Sequence, residues 1–113
     1  MNKINIQERE TPINVIRGAV KVKNAQLMKV GEYKYVLQHY DTIILEVING
    51  EVIIITNISN SSNRAINQAL EYLQHELNEE YKGLTGQAIA QEFRKAGKFV
   101  RDVPNGQMYP MGN

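Results

Sequence analysis

The sequence predicts an α+β fold: an antiparallel β-meander of four to six strands, followed by two α-helices packed on the sheet. Three observations carry this. Up to Thr56 the apolar residues alternate, or run in short blocks broken by glycine and asparagine, as strands and tight turns do. Asn49-Gly50 sits between two apolar runs, the strongest short-range hairpin signal. Beyond Ser62 the apolar period becomes that of a helix.

In order along the chain, "TPINVIRG" alternates through Ile13 and Val15 and reads as a first strand. "AVKVK", Ala19 to Lys23, reads as a second. "AQLMKV" and "YKYVLQHY" flank Gly31-Glu32, where a leading glycine suits a type II′ turn. In "TIILEVINGEVIIIT" a two-residue turn at Asn49-Gly50 sets the register: Ile48 opposite Glu51, Val47 opposite Val52, Leu45 opposite Ile54 and Ile43 opposite Thr56. One face then holds Ile43, Leu45, Val47, Val52 and Ile54, a core set. The other holds Ile44, Glu46, Ile48, Glu51, Ile53 and Ile55, too apolar for water. A first helix is expected from about Asn63 to Glu79, with Ala65, Ile66, Ala69, Leu70, Leu73 and Leu77 in one stripe and Ser61 or Ser62 as N-cap. A second, "KGLTGQAIAQEFRKAG", is capped by Thr85, has Ile89, Phe93 and Ala96 as its apolar stripe, and ends at Gly97.

The chain's 113 residues suffice for one domain, with 1–12 and 102–113 expected as extended or disordered tails. There is no cysteine, which excludes disulfides, thiolate metal sites and a cysteine nucleophile. No apolar stretch is long enough for a membrane span and "MNKINIQERE" has no apolar h-region, so a cytoplasmic protein without membrane attachment is expected. The net charge of +1 is unevenly spread. Residues 1–23 carry five basic and two acidic side chains, 24–81 three and eight, and 82–113 five and two.

No motif names a reaction. His39 and His75 lack metal-ligand spacing, no serine sits in GxSxG, and no phosphate loop is present. Neither catalysis nor a cofactor or metal is expected. The polar run "NISNSSNRAIN" precedes the first helix, and a helix N-terminus attracts anions through its free N–H groups and dipole. Ser61, Ser62, Asn63 and Arg64 are therefore candidate ligand-binding residues, set against the plainer reading of a cap and turn. "EFRKAGKFVR" interleaves phenylalanines with cations, which adds Arg94, Phe99 and Arg101 as candidates, with Tyr109 as a second aromatic.

Residues 40–67 resemble a small phage-encoded domain family of unknown function. The matching positions are Tyr40-Asp41-Thr42 opening a strand, the turn Asn49-Gly50, and Ser59-Asn60-Ser61-Ser62 opening a helix. Where members of that family carry a histidine after the Ser/Thr pair, this chain has Asn63-Arg64-Ala65. The meander-then-helices order is also similar to that of phage anti-Thoeris proteins, which sequester a nucleotide immune signal without cutting it. The resemblance implies a phage or mobile-element protein that antagonises host defence by holding a small anionic ligand such as a cyclic nucleotide. The alternative is direct binding of nucleic acid or of a host defence protein. A homodimer is expected from the second isoleucine face, which two short helices cannot cover.

Overall fold

The structure, a computed structural model, describes residues 13–56 and 59–97. Five strands form one antiparallel sheet: β1 (Asn14–Val15), β2 (Ala25–Gly31), β3 (Lys34–His39), β4 (Thr42–Ile48) and β5 (Glu51–Ile55). Their order in the sheet is their order in the chain. Two helices follow, α1 (Asn60–Tyr72) and α2 (Gly86–Lys95), joined through a single 3-10 turn at Glu79–Tyr81. Helix α1 lies over β3 and β4, and α2 over β5. The expected α+β meander with two packed helices is therefore the observed fold.

The Asn49-Gly50 turn forms with φ of 54° and 79°, the left-handed pair that a type I′ turn needs. Ile48 then opposes Glu51 and Val47 opposes Val52, in the register the turn dictates. Beyond that point the register changes. Glu46 pairs with Ile54 and Leu45 with Ile55, so β5 carries one extra residue at Ile53. A second shift lies between β3 and β4, where Leu37 pairs with Leu45 but Gln38 with Ile43, leaving Ile44 as the extra residue. Each bulge flips the alternation once.

The expected face assignment is corrected accordingly. Ile44 and Ile55 turn inward and are fully buried, while Ile43 is half-buried and turned outward. Ile54, expected in the core, pairs with outward Glu46 and is buried outside the main cluster. Of the isoleucine face that argued for a dimer, Ile48 remains half-buried and Ile53 is 41% exposed. Lys34 and Glu46 form an ion pair at 3.3 Å on the same side.

Three other expectations move. "AVKVK" is not a strand. Residues 16–24 form an irregular loop that folds inward through Ile16, Ala19, Val20 and Val22, completing the layer over the sheet beside α1. The Lys21 backbone N–H fastens it to Gln68 Oε1 at 2.7 Å. The β2–β3 turn is Glu32-Tyr33, with Gly31 paired to Lys34 as a strand residue and no positive φ in the turn. Helix α1 starts earlier and stops sooner than the apolar stripe suggests. Ser59 is its N-cap and Leu73 its C-cap. Leu73 and Leu77 remain buried, but on the turns that follow the helix. Thr85 caps α2 as expected, accepting from the Ala88 N–H at 3.1 Å. The tails 1–12 and 102–113 lie outside the described residues.

Polar contacts bolt the helical layer to the sheet at both ends of the strands. At the Asn49-Gly50 end, Asn78 N–H donates to the Gly50 carbonyl at 3.0 Å, and Asn78 Nδ2 donates to Glu51 Oε1 at 2.8 Å. Tyr81 donates to Glu51 Oε2 at 3.2 Å, and Tyr35 to Glu76 Oε2 at 2.7 Å. Burial, reinforced by these carboxylates, pushes both phenols up to about 12. At the opposite end of the strands the bolt is His39.

Candidate functional site

His39 ends β3, opposite Thr42, with its ring turned inward and buried. Its Nδ1 lies 3.1 Å from Ser62 Oγ in the first turn of α1. The cap residue Ser59 accepts from the Ser62 backbone N–H and donates to Ser62 Oγ, each at 3.0 Å. Ser62 Oγ thus bridges the Ser59 hydroxyl and the His39 ring. Ser62 is thereby fully buried and engaged, and it stands in the structure as a lock between sheet and helix rather than an open anion donor. Thr56 Oγ1, at the end of β5, is buried without a hydrogen-bond partner among the described residues.

The other sequence candidates separate. Ser61 and Asn63 are half-buried in the same helical turn as Arg64, which is exposed. Arg94 is on α2, in the last turn, where a cation also suits the helix dipole. Phe99, Arg101 and Tyr109 lie outside the described residues. Beside the first turn of α1 the structure places one further residue, outside the polar run.

That residue is Tyr40. The β3–β4 turn is Tyr40-Asp41, closed by the His39–Thr42 pair. Tyr40 has φ of 56° at the first turn position, where glycine is usual. It is 64% exposed, and its ring lies 4.7 Å from that of His39 at an angle of 41°. Two hydrogen bonds hold the strained backbone. Tyr40 N–H donates to the Asn24 carbonyl at 2.9 Å, and Gln38 Nε2 donates to the Tyr40 carbonyl at 2.7 Å. Asn24 is itself left-handed, with φ of 64°. Asn24, Gln26, Gln38, Tyr40 and Asp41 line a shallow polar groove. The Tyr40 ring thus meets His39, which is tied to Ser62 of α1, while Gln26 and Gln38 lie on the outward face of the sheet and no α1 residue lines their groove. The sequence signal for this was the spacing of "HYDT", which leaves two residues for a turn and so forces Tyr40 into its first position.

Among the described residues no cluster of three or more histidine or carboxylate side chains is arranged to hold a metal ion. No helix among them is long and apolar enough to cross a membrane. No protein-family model, curated protein or solved structure matches this chain.

Proposed function

We propose that the protein is a non-enzymatic binding protein for a small nucleotide-type ligand, held at the end of the molecule where the β3–β4 turn meets the start of α1. On this reading it acts as the phage signal-sequestering proteins do, by withholding the ligand from a host defence system. One observation carries the reading: an exposed tyrosine is kept in a left-handed conformation by two hydrogen bonds. Backbone strain of this kind costs on the order of 1–3 kcal/mol and persists where the surroundings over-determine it, which is common at ligand sites.

The roles follow from chemistry. The Tyr40 ring offers a flat apolar face to a base, an interaction tolerant of base identity. The amides of Asn24, Gln26 and Gln38 offer both donors and acceptors to a base edge. The free N–H groups of the α1 first turn, with the Ser61 hydroxyl and Arg64, meet a phosphate. Asp41 accepts from a ribose hydroxyl.

The test is a thermal-shift screen with cyclic dinucleotides, cyclic ADP-ribose isomers and mononucleotides, followed by calorimetry. The reading expects saturable binding that Tyr40→Ala and Arg64→Ala each weaken at least tenfold, with the fold intact by circular dichroism. No stabilisation by any of these ligands, or affinity indifferent to both variants, refutes it.

A further inference from the structure

We infer that the protein self-associates head to tail, the cationic β1 flank of one copy seating against an acid-rimmed apolar groove beside α2 of the next.

The two surfaces lie at opposite edges of one sheet. From Ile13 to Gly31 there are four cations, Arg17, Lys21, Lys23 and Lys29, and no carboxylate. Lys29 is turned over the Tyr35 ring, 5.7 Å from its centre, while Arg17, Lys21 and Lys23 are exposed. The same flank exposes Ile13 (65%) and Val15 (42%). Strand β1 has two residues and leaves its outer edge short.

The complement is on the far side, over β5. Leu84, Ile89, Phe93 and Ala96 line a groove of about 330 Å³, with Tyr81 at its base and Glu80 and Glu92 at its rim. Leu84 is 38% exposed. From Glu71 to Glu92 the chain carries five carboxylates and one cation, Lys82. Glu92 pairs with Lys95 at 3.9 Å across a solvated helix turn, an interaction of little worth that yields readily to a partner. An apolar floor that accepts Ile13 or Val15 beside two carboxylates, Glu80 and Glu92, is the pattern of a specific contact.

The occupant is a second copy because this chain itself carries the matching surface. Four strand spacings, about 19 Å, separate β1 from β5, which puts the flank and the groove at opposite edges of the sheet. One partner cannot meet both. The contact is therefore heterologous, and it repeats into rings or short filaments instead of closing as a two-fold dimer. It also avoids the sheet face from which Ile44 and Ile55 have been withdrawn.

Sedimentation velocity and light scattering on the full chain test this. Between roughly 10 and 500 µM protein at about 50 mM salt, the weight-average mass is expected to climb past twice the 12.9 kDa monomer, and to fall back at about 500 mM salt as the charges are screened. Arg17→Glu with Lys21→Glu, or Glu80→Lys with Glu92→Lys, should each weaken association at least tenfold. The chain carrying all four reversals should recover it. A monomer at every concentration, a mass that stops at the dimer, or association indifferent to the reversals would each overturn the inference. None of these four residues belongs to the ligand end, so nucleotide binding by the variants is scored separately.

Discussion

Gly50 is the position at which a single methyl group is expected to do most harm. Its φ of 79° is left-handed, and a Cβ there would lie 2.7 Å from the Glu76 carbonyl oxygen and 2.6 Å from Asn78 Oδ1. The side-chain amide can swing away, but the backbone carbonyl cannot move without displacing the turn that follows α1. For Gly50→Ala the left-handed conformation costs about 1–2 kcal/mol. Forcing the carbonyl aside costs about 1–3 kcal/mol more. The Asn78 bonds to Gly50 and Glu51 are loosened with it, at about 1 kcal/mol each. The sum, about 4–7 kcal/mol, is a large part of the stability of a domain this size. Urea denaturation followed by circular dichroism reads it as a fall in midpoint. Asn49→Gly is the control, since φ of 54° suits glycine and nothing about the clamp changes. A loss below about 1 kcal/mol for Gly50→Ala would refute the reasoning, because it would mean that the turn and the Glu76–Asn78 segment do not press on each other as described.

Other consequences are open to similar measurement. Tyr35 and Tyr81 have phenols raised to about 12 from the ordinary value near 10. Their contribution to stability is therefore complete below pH 10 and is lost as pH rises from 10 to 12, at about 2–3 kcal/mol per pH unit for the pair. Urea midpoints at successive pH values should show this slope in the native chain, and its absence in the Tyr35→Phe, Tyr81→Phe double variant. Ser62→Ala should cost about 1–3 kcal/mol by leaving the His39 and Ser59 partners unpaired in the interior. Ser61→Ala should stay within about 0.5 kcal/mol, and equal losses at the two positions would contradict the lock between sheet and helix. Gly86→Ala sets helix propensity, about 1 kcal/mol in favour of alanine, against a Cβ placed 2.6 Å from Ile66 Cγ2. Ile66 is fully buried and cannot retreat, so destabilisation is expected, and a raised melting temperature would reverse that ranking.

The sequence was most informative where structure is local. Asn49-Gly50, the Thr85 cap and the stripe of Ala65, Ile66, Ala69 and Leu70 are each determined within a few residues, and each is found as expected. The bulges at Ile44 and Ile53 were not legible. A register slip is decided by which isoleucine best fills the space beneath the helices, and that space does not exist in the strand alone. "AVKVK" alternates like a strand, but the left-handed turn at Asn24 and the bond from Lys21 to Gln68 hold it in the helical layer instead. The cap shifted from Ser61 or Ser62 to Ser59 because His39, 23 positions earlier in the chain, holds Ser62. For the candidate site, the first turn of α1 could be read from its serines. Tyr40 could not be read as part of it, since only folding brings the β3–β4 turn beside that helix.

A sheet whose spatial order repeats its chain order can be assembled as it is made. Each strand leaving the ribosome pairs with the one just before it, so no long loop has to close before a contact forms, and ordering proceeds hairpin by hairpin. What such a nascent sheet lacks until the end is a cover. While synthesis has not passed Leu77, the face bearing Leu27, Leu37, Ile44 and Leu45 has only part of the layer that will hide it. Translation speed through α1 and α2 thus sets how long a sticky half-protein is presented to its neighbours. The contact of Ser62 with His39 needs only the start of α1, so the β3–β4 end of the sheet is tied to the helical layer before α2 exists.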